Sequence, residues 1–534
     1  MDNLLFRIIA GIATGGIFCA CSWKMLGAMQ QSGYKGGTFW RWLKKKENML
    51  FNRLGMLAMC LALSTTITAF SFSFLGTHLA LCVSAVPFFI CGVYFCYADR
   101  KFALKVPVKR TGRLWRLFAV FALFVVCGSY IFISLLAFLA EWNGSQLYAL
   151  VAYVPFALMP LFLPLLLRVA NAFEGVFENV RNQKFVKRAG QVLDECEIIR
   201  VGIVGSYGKT SVKNILKTIL LEKYSVVETP ASYNTPIGVA KTVFSSAWKE
   251  KQVLIAEMGA RRKGDIAALC DLVKPDYAIF TGVCEQHIET FGSLENIWNA
   301  KKEIFSGGTK VVCGEGLRDY IAQDISIDKE KAIFADDVTA TDVVYKATGT
   351  QFVLRIGDLT YSVQTKLLGK AAVENILLSA KLALEMGLTA EEIVAGIEKI
   401  DYVPHRLQLL EKSNVYILDD AYNCNPKGAE ESLLALSRFD GRKCVITPGI
   451  IECGVLEEKI NGELGEKIAQ NRLDKVILIG DTLVGAVKAG YEKAGGDMDK
   501  LVTAKTLEEG TGLFLEWTKT GDAVLFLNDL PDVY

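Results

Sequence analysis

The first third of this chain is a succession of apolar stretches, each near the roughly 20 residues a helix needs to cross hydrocarbon, and that leaves few folds open to it. The stretches run Leu4 to Leu26, Met56 to Leu75, Leu79 to Tyr97, Leu117 to Trp142 and Leu147 to Val169. Five spans are expected. The chain has 534 residues, 51% of them hydrophobic, and a mean hydropathy of +0.30. That value is high for an ordinary soluble enzyme, and the excess lies in this third. A cleaved signal peptide is disfavoured, because Met1 to Leu5 lacks a basic region and further spans follow.

Charge sets the expected orientation. Lys35, Arg41, Lys44, Lys45, Lys46 and Arg53 lie between the first two spans; Arg100, Lys101, Lys105, Lys109, Arg110, Arg113 and Arg116 lie between the third and fourth. The other two connections carry no Lys or Arg. By the positive-inside rule the N-terminus is outside and everything after the fifth span is cytoplasmic, in a multi-pass protein of the cell membrane. The basic loops, flanked by Trp40, Trp42 and Trp115, suit anionic lipid headgroups or serve only as a topology signal. Ionisable residues are nearly absent from the span interiors, which argues against a transporter. The net charge of +2 does not suggest nucleic-acid binding. The 14 cysteines show no metal-type spacing and fit a reduced compartment.

Beyond a charged amphipathic connector the pattern changes to short apolar runs separated by helical segments. Val201–Val204, Ser225–Glu228, Val253–Glu257, Tyr277–Thr281 and Lys310–Cys313 read as buried parallel strands. Short alternating strands follow between Asp342 and Leu368, then a helical stretch from Ala371 to Met386. A second alternation uses Val415–Asp420, Cys444–Thr447, Lys475–Ile479 and Ala523–Leu527. The expected fold class is therefore a membrane α-helical domain (residues 1–175), a connector (176–199), an α/β central domain (200–403) and a smaller doubly wound α/β domain (404–534).

The chemistry is concentrated first in Gly205-Ser206-Tyr207-Gly208-Lys209-Thr210-Ser211, which follows a strand and opens a helix. Backbone amides and a helix N-terminus hold phosphates in that setting. Lys209 would neutralise β and γ oxygens, and Thr210 would place a hydroxyl on Mg²⁺. The generic pattern wants a glycine five residues before Gly208, where Ile203 stands. Glu257 ends a strand of the same sheet, where a carboxylate can meet the Thr210-bound metal. ATP and Mg²⁺ are the cofactors implied.

This loop resembles that of the Mur ligases, ATP-dependent amide-forming enzymes of cell-wall assembly. Thr229 to Gly238 is similar to the Thr-Pro-x-x-Tyr-Asn-x-x-x-Gly element of the branch that adds D-alanyl-D-alanine to the muramoyl tripeptide. Glu257-Met258-Gly259-Ala260, His287 to Ser293, Ala300 to Glu303 and Asp419 to Pro426 continue the pattern in order. The resemblance implies a P-loop central domain and an acyl-phosphate mechanism, with a peptide or amino-acid amine donor and a cell-wall-type carboxylate acceptor. It further implies His287 as a metal ligand and Asn234 at the nucleotide site. Lys301 falls where much of the family carries a carbamate that makes the lysine a metal-binding carboxylate; unmodified, it would be a surface helix lysine. Asp420, Asn423 and Asn425 are assigned by the resemblance to nucleotide and amine, Arg406 to the phosphates on closure, and Asn375 to the adenine.

The chain departs from the family in four places. Spans stand where a uridine-diphosphate-binding domain is usual, and Val169 to Arg200 is too short to hide one of about 100 residues. Ala371-Ala372 replaces the usual His-Asn pair before Asn375. Asn528 to Asp532 and Thr447-Pro448-Gly449 with Glu452 replace the branch's Lys-Gly-Ser and Gly-Asp-Met segments. The expected activity is thus a membrane-bound ligase, with a lipid-linked acceptor as one form and a tethered D-alanyl-D-alanine ligase as another. A poly-γ-glutamate-type polymer ligase and a non-catalytic nucleotide-binding scaffold are the alternatives.

Overall fold

The computed structural model describes residues 2–44, 50–71, 86, 89–98, 108–143, 158–245, 248, 250–284, 291–422, 425–451, 453, 456–480 and 482–527. The chain divides into two compact units, Met1–Asn182 and Gln183–Leu530.

The first unit is helical. Its helices are α1 (Asp2–Cys21), then Trp23–Gln31, Gly36–Lys44, Leu50–Ser71 and Phe89–Ala98, then α2 (Gly112–Asn143) and α3 (Met159–Asp194), which continues into the second unit. Gly11 and Gly15, one helical turn apart, lie against Tyr130 and Val126 of α2, so a side chain at either position would collide with that helix. Small residues at such a crossing let two backbones approach closely. Phe18, Leu26, Met29, Leu117 and Phe121 fill the interior, while Ile9, Ile12, Leu123, Ile131 and Phe162 face outward. Buried charge is paired here: Glu174 accepts from Arg116 (3.3 Å) and faces Arg113 (3.4 Å), and Arg116 also reaches Glu178 (2.6 Å).

Five spans are not resolved. Among the described residues two helices are long and apolar enough to cross a membrane, Gly112–Leu135 within α2 and Met159–Asp194. A third arises if Arg7–Cys21 and Trp23–Gln31, bent by 47°, form one span. Arg53–Leu63 and Phe89–Ala98 are apolar but shorter, and residues 79–85, 87–88 and 147–157 of the expected stretches Leu79–Tyr97 and Leu147–Val169 lie outside the described residues. The amphipathic connector is the second half of α3 rather than a separate element.

The second unit holds three sheets. The first has the order β2-β3-β1-β4-β5-β6 and is wholly parallel. Its strands are β1 (Ile199–Val204), β2 (Val226–Glu228), β3 (Val253–Glu257), β4 (Tyr277–Phe280), β5 (Lys310–Cys313) and β6 (Ala332–Ile333). Successive side chains of a strand face opposite ways, and the sheet uses both faces. Val204, Leu254, Ala256, Ala278 and Phe280 enter one core; Val201, Ile203, Val253, Ile255 and Ile279 enter the other. The second core is closed by helix α4 (Lys209–Leu220), by the antiparallel strands β7 (Val338–Lys346), β8 (Gly349–Ile356) and β9 (Leu359–Thr365), and by α6 (Lys370–Glu385); α5 (Leu294–Lys301) packs on the other core.

The remaining sheet has the order β10-β11-β15-β12-β13-β14. Beyond the expected β11 (Val415–Asp420), β12 (Lys443–Thr447), β13 (Lys475–Ile479) and β15 (Ala523–Leu527), it contains β10 (Gln408–Lys412), antiparallel to β11, and β14 (Leu501–Ala504). Helix α7 (Pro426–Ser437) follows β11. Both additions are edge strands with little apolar pattern, which is why the sequence does not announce them.

Candidate active site

In the first sheet the chain reverses direction at β1, whose neighbours are β3 and β4. Such a switch point opens a crevice at the C-terminal ends of the strands. The glycine loop leaves β1 there. Gly208 has φ 72°, the left-handed region that suits glycine, and serves as the N-cap of α4. A Cβ at Gly208 would sit 2.9 Å from the Asn375 side chain, so the loop needs glycine on steric grounds as well.

Lys209 and Lys301 both donate to the Gly205 carbonyl, each at 2.9 Å. Two cations therefore converge on one backbone oxygen. Burial pushes Lys301 down to about 7, with repulsion from Lys209 adding to it. Burial also lowers Lys209, against the pull of Glu257, and Arg406 lowers it further. Lys301 is only 4% exposed, so the surface-lysine expectation is wrong: α5 points its last side chain under the loop. A neutral amine at near-neutral pH is the form that adds CO₂.

Glu257 is buried and receives hydrogen bonds from Thr210 Oγ1 (3.0 Å) and Asn234 Nδ2 (3.2 Å). Lys213 Nζ lies 3.5 Å from the same carboxylate. Sequence reasoning missed Lys213. The signal was there, since it stands four residues after Lys209 and so on the same helix face. Glu303, in the Ala300 to Glu303 segment, caps the helix Asp265–Val273 by accepting from Gly264 N (2.8 Å) and Ala267 N (3.0 Å).

Not every loop residue faces ligand. Ser206 is buried, and its amide donates to Gly282 O (2.8 Å), which removes it from the set of free phosphate-binding amides. Tyr207 accepts at its carbonyl from Thr281 Oγ1 (2.5 Å), and burial raises its phenol to about 12. Its ring is covered by Lys427 Nζ at 5.1 Å.

A cavity of about 150 Å³ opens beside the loop, lined by Tyr207, Gly208, Ser211 and Asn375 on one side and by Arg406, Asp420, Asn425 and Lys427 on the other. The structure thus brings the two groups of predicted residues to one place. Asp420 accepts from Ser432 Oγ (2.7 Å) and Leu407 N (3.1 Å), and burial raises its carboxyl despite these bonds and Arg406. Arg406 donates to Tyr422 O (2.6 Å) and stacks on the Tyr422 ring. Asn425 caps α7 by accepting from Gly428 N (2.9 Å). His287 and Asn423 lie outside the described residues. No group of three or more His, Cys, Asp or Glu gathers among the described residues.

This arrangement fits a nucleoside triphosphate with its metal: a glycine loop at a helix N-terminus, lysines in surplus over carboxylate, and a hydroxyl–carboxylate pair, Thr210 and Glu257, with oxygens suited to a hard cation.

Residues 203–383 match the family model of the Mur ligase middle domain. The chain is 30% identical over 293 residues to the UDP-N-acetylmuramoyl-tripeptide–D-alanyl-D-alanine ligase of Escherichia coli, covering 52% of this chain and 64% of that protein. The Bacillus subtilis ligase of the same name is 28% identical over 291 residues, with 52% and 62% covered. The chain thus spans less than two thirds of these relatives. The MurF ligase of Thermotoga maritima, crystallised with ADP, superposes with a TM-score of 0.58 at 27% identity, covering 66% of this chain and 81% of that one.

Proposed function

We propose that this protein is a membrane-held, ATP-dependent ligase that joins a carboxylate to an amine in cell-wall precursor metabolism. Its ligase domains stand on the cytoplasmic face, and its acceptor is lipid-linked. The observation that carries the ligase reading is the convergence of Lys209, Lys301 and the Thr210–Glu257 pair at one switch point, on the loop whose Tyr207 and Gly208 share a cavity with Asp420 and Arg406. A scaffold has no need of that set together.

Bound there, ATP would supply the phosphoryl group that activates the carboxylate, and Mg²⁺ the charge that steadies it. Lys209 and the free loop amides would hold the phosphate oxygens in place, without reorganisation at the moment of reaction. Thr210 and Glu257 would hold the metal, joined by His287 and by Lys301 once carbamylated. Tyr207 and Asn375 border the space for the nucleoside. Asp420, buried opposite the loop, would orient the incoming amine, and Arg406 would approach the phosphates.

The lipid-linked acceptor is supported by what precedes the ligase domains: apolar helices with outward-facing Ile9, Leu123 and Ile131 occupy the place of a nucleotide-sugar-binding domain.

The test is ADP and phosphate release by the detergent-purified full chain with Mg²⁺ and bicarbonate. UDP-muramoyl tripeptide plus D-alanyl-D-alanine is compared with lipid-linked precursors plus an amine panel. Turnover confined to the lipid-linked set is expected. Efficient use of the soluble pair would overturn the lipid-linked part and leave a tethered ligase; silence on both would overturn the ligase reading.

A further inference from the structure

Lys213 is 2% exposed, as buried as any apolar residue of α4. Burying an ammonium is costly unless each of its protons finds an acceptor. Here two of them do, Thr229 O at 2.8 Å and Ala231 O at 2.7 Å, and the charge faces Glu257 Oε2 at 3.5 Å. The first two acceptors belong to the segment that leaves β2 and carries the exposed side chains of Ala231, Ser232 and Tyr233.

That segment is held in an unfavourable shape. Ala231 has φ 45°, a left-handed conformation that costs a residue with a Cβ roughly 1–2 kcal/mol. Such a conformation persists only where its surroundings enforce it. The Lys213 bond to the Ala231 carbonyl is one such restraint, and Tyr233 N to Pro230 O (3.0 Å) closes the turn from the other side. Farther along, Asn234 Nδ2 reaches Glu257 Oε1 while Lys213 approaches Oε2, so loop and carboxylate are clamped from both ends.

We propose that Lys213 is a positioning residue that ties the Thr229–Asn234 loop and the Glu257 carboxylate to the helix behind the phosphate loop, so that all three are set as one body. Lys209 at the head of α4 faces the phosphates; Lys213, one turn later, faces the loop. The helix thereby couples nucleotide site and acceptor-side loop through side chains of one type. The loop's anchoring stands on geometry alone; its effect on turnover rests on the ligase reading.

The experiment is amide hydrogen exchange on the detergent-solubilised full chain, with MgADP affinity measured alongside. In Lys213→Met, exchange over residues 230–236 is expected to rise about tenfold or more, as a locally released segment does. MgADP affinity should stay within about threefold, because the partners of Lys213 are Thr229, Ala231 and Glu257, none of them in the phosphate loop. Adding Ala231→Gly should recover part of the lost protection, since glycine adopts that φ without strain. Lys213→Met leaves Glu257 without its cation, so Lys213→Met with Glu257→Gln, which removes both charges, is the companion variant and should show the same exposure of 230–236. Exchange within about twofold of wild type in both variants would overturn the proposal, and so would loss of protection spread over all of α4 together with loss of MgADP binding, which marks a merely structural lysine. If the wild type binds no MgADP, the ligase reading fails, and the exchange result alone decides the anchor.

Discussion

The two crevices of the second unit follow one local rule and differ in charge. Each lies at a strand end in a mainly parallel sheet, and each places an acid there: Glu257 after β3 and Asp420 after β11. Around Glu257 the sequence gathers Lys209 and Lys213, and Lys301 meets Lys209 on the Gly205 carbonyl. Around Asp420 it gathers Asp419 and Arg406, whose guanidinium donates to the Tyr422 carbonyl, with Lys427 lining the same cavity. Strand-end position makes a crevice, and the side chains facing it decide what the crevice holds. A surplus of cations on one wall suits phosphate oxygens; a carboxyl kept in a dry setting on the other suits an amine.

The largest way to break this contrast is to empty the cationic wall. Lys209→Ala is expected to lower ADP release about a thousandfold, the scale of removing a charge aimed at a developing phosphoryl group. Membrane abundance by immunoblot should not change. Glu257→Gln keeps the shape and hydrogen-bonding capacity but removes the charge. It should cost about a hundredfold, with a raised Mg²⁺ requirement in a titration at fixed nucleotide.

Lys301 sharpens the comparison through pH. Its amine titrates at about 7 in the folded protein against 10.5 as its ordinary value. Above pH 7 the unfolded chain therefore holds a proton that the folded one has lost, and stability rises with pH until both are neutral. Below pH 7 both are protonated and the burial cost is fully present. In carbonate-free buffer, chemical denaturation should show a gain of about 2 kcal/mol between pH 7 and pH 9. Lys301→Met should lack that gain. An unchanged slope in the variant would show that the lysine keeps its ordinary affinity for protons.

Asp420→Asn tests the opposite wall. It keeps a polar group for Ser432 and Leu407 but cannot hold an ammonium, so turnover should fall about tenfold, read as kcat/KM for the amine with KM for ATP little changed. The smallest effect belongs to the contact joining the walls. Lys427→Ala removes a cation from the Tyr207 ring, worth about 0.5–1 kcal/mol, and should weaken ATP binding about threefold by isothermal titration.

Much of the second unit is legible in the order of residues. Buried parallel strands are continuous apolar runs, so β3, β5, β11, β13 and β15 fall where the runs fall. The edge strands β10 and β14 were not legible, because exposure on one side removes the pattern that betrays a strand. The same limit applies to Lys301 and Lys213. A lysine on a helix reads as solvent-facing, since lysine is seldom buried; only the approach of α5 to the loop, and of α4 to the Thr229–Ala231 carbonyls, reverses that reading. Ser206 shows the converse, a loop residue that tertiary contact with Gly282 withdraws from the ligand side.

By itself the sequence determined the local grammar: apolar stretches before residue 170, a strand–loop–helix whose glycines and Lys209 suit phosphate, and acids at two strand ends. These are properties of adjacent residues, governed by periodicity, steric freedom and charge. Only the tertiary structure decided that Lys209 and Lys301, 92 positions apart, donate to one carbonyl, that Glu257 is enclosed by Thr210, Asn234 and Lys213, and that Asp420 and Arg406 line the same cavity as Tyr207. Proton affinity and ligand geometry depend on which groups share a dry space, and that is settled when the sheets stack.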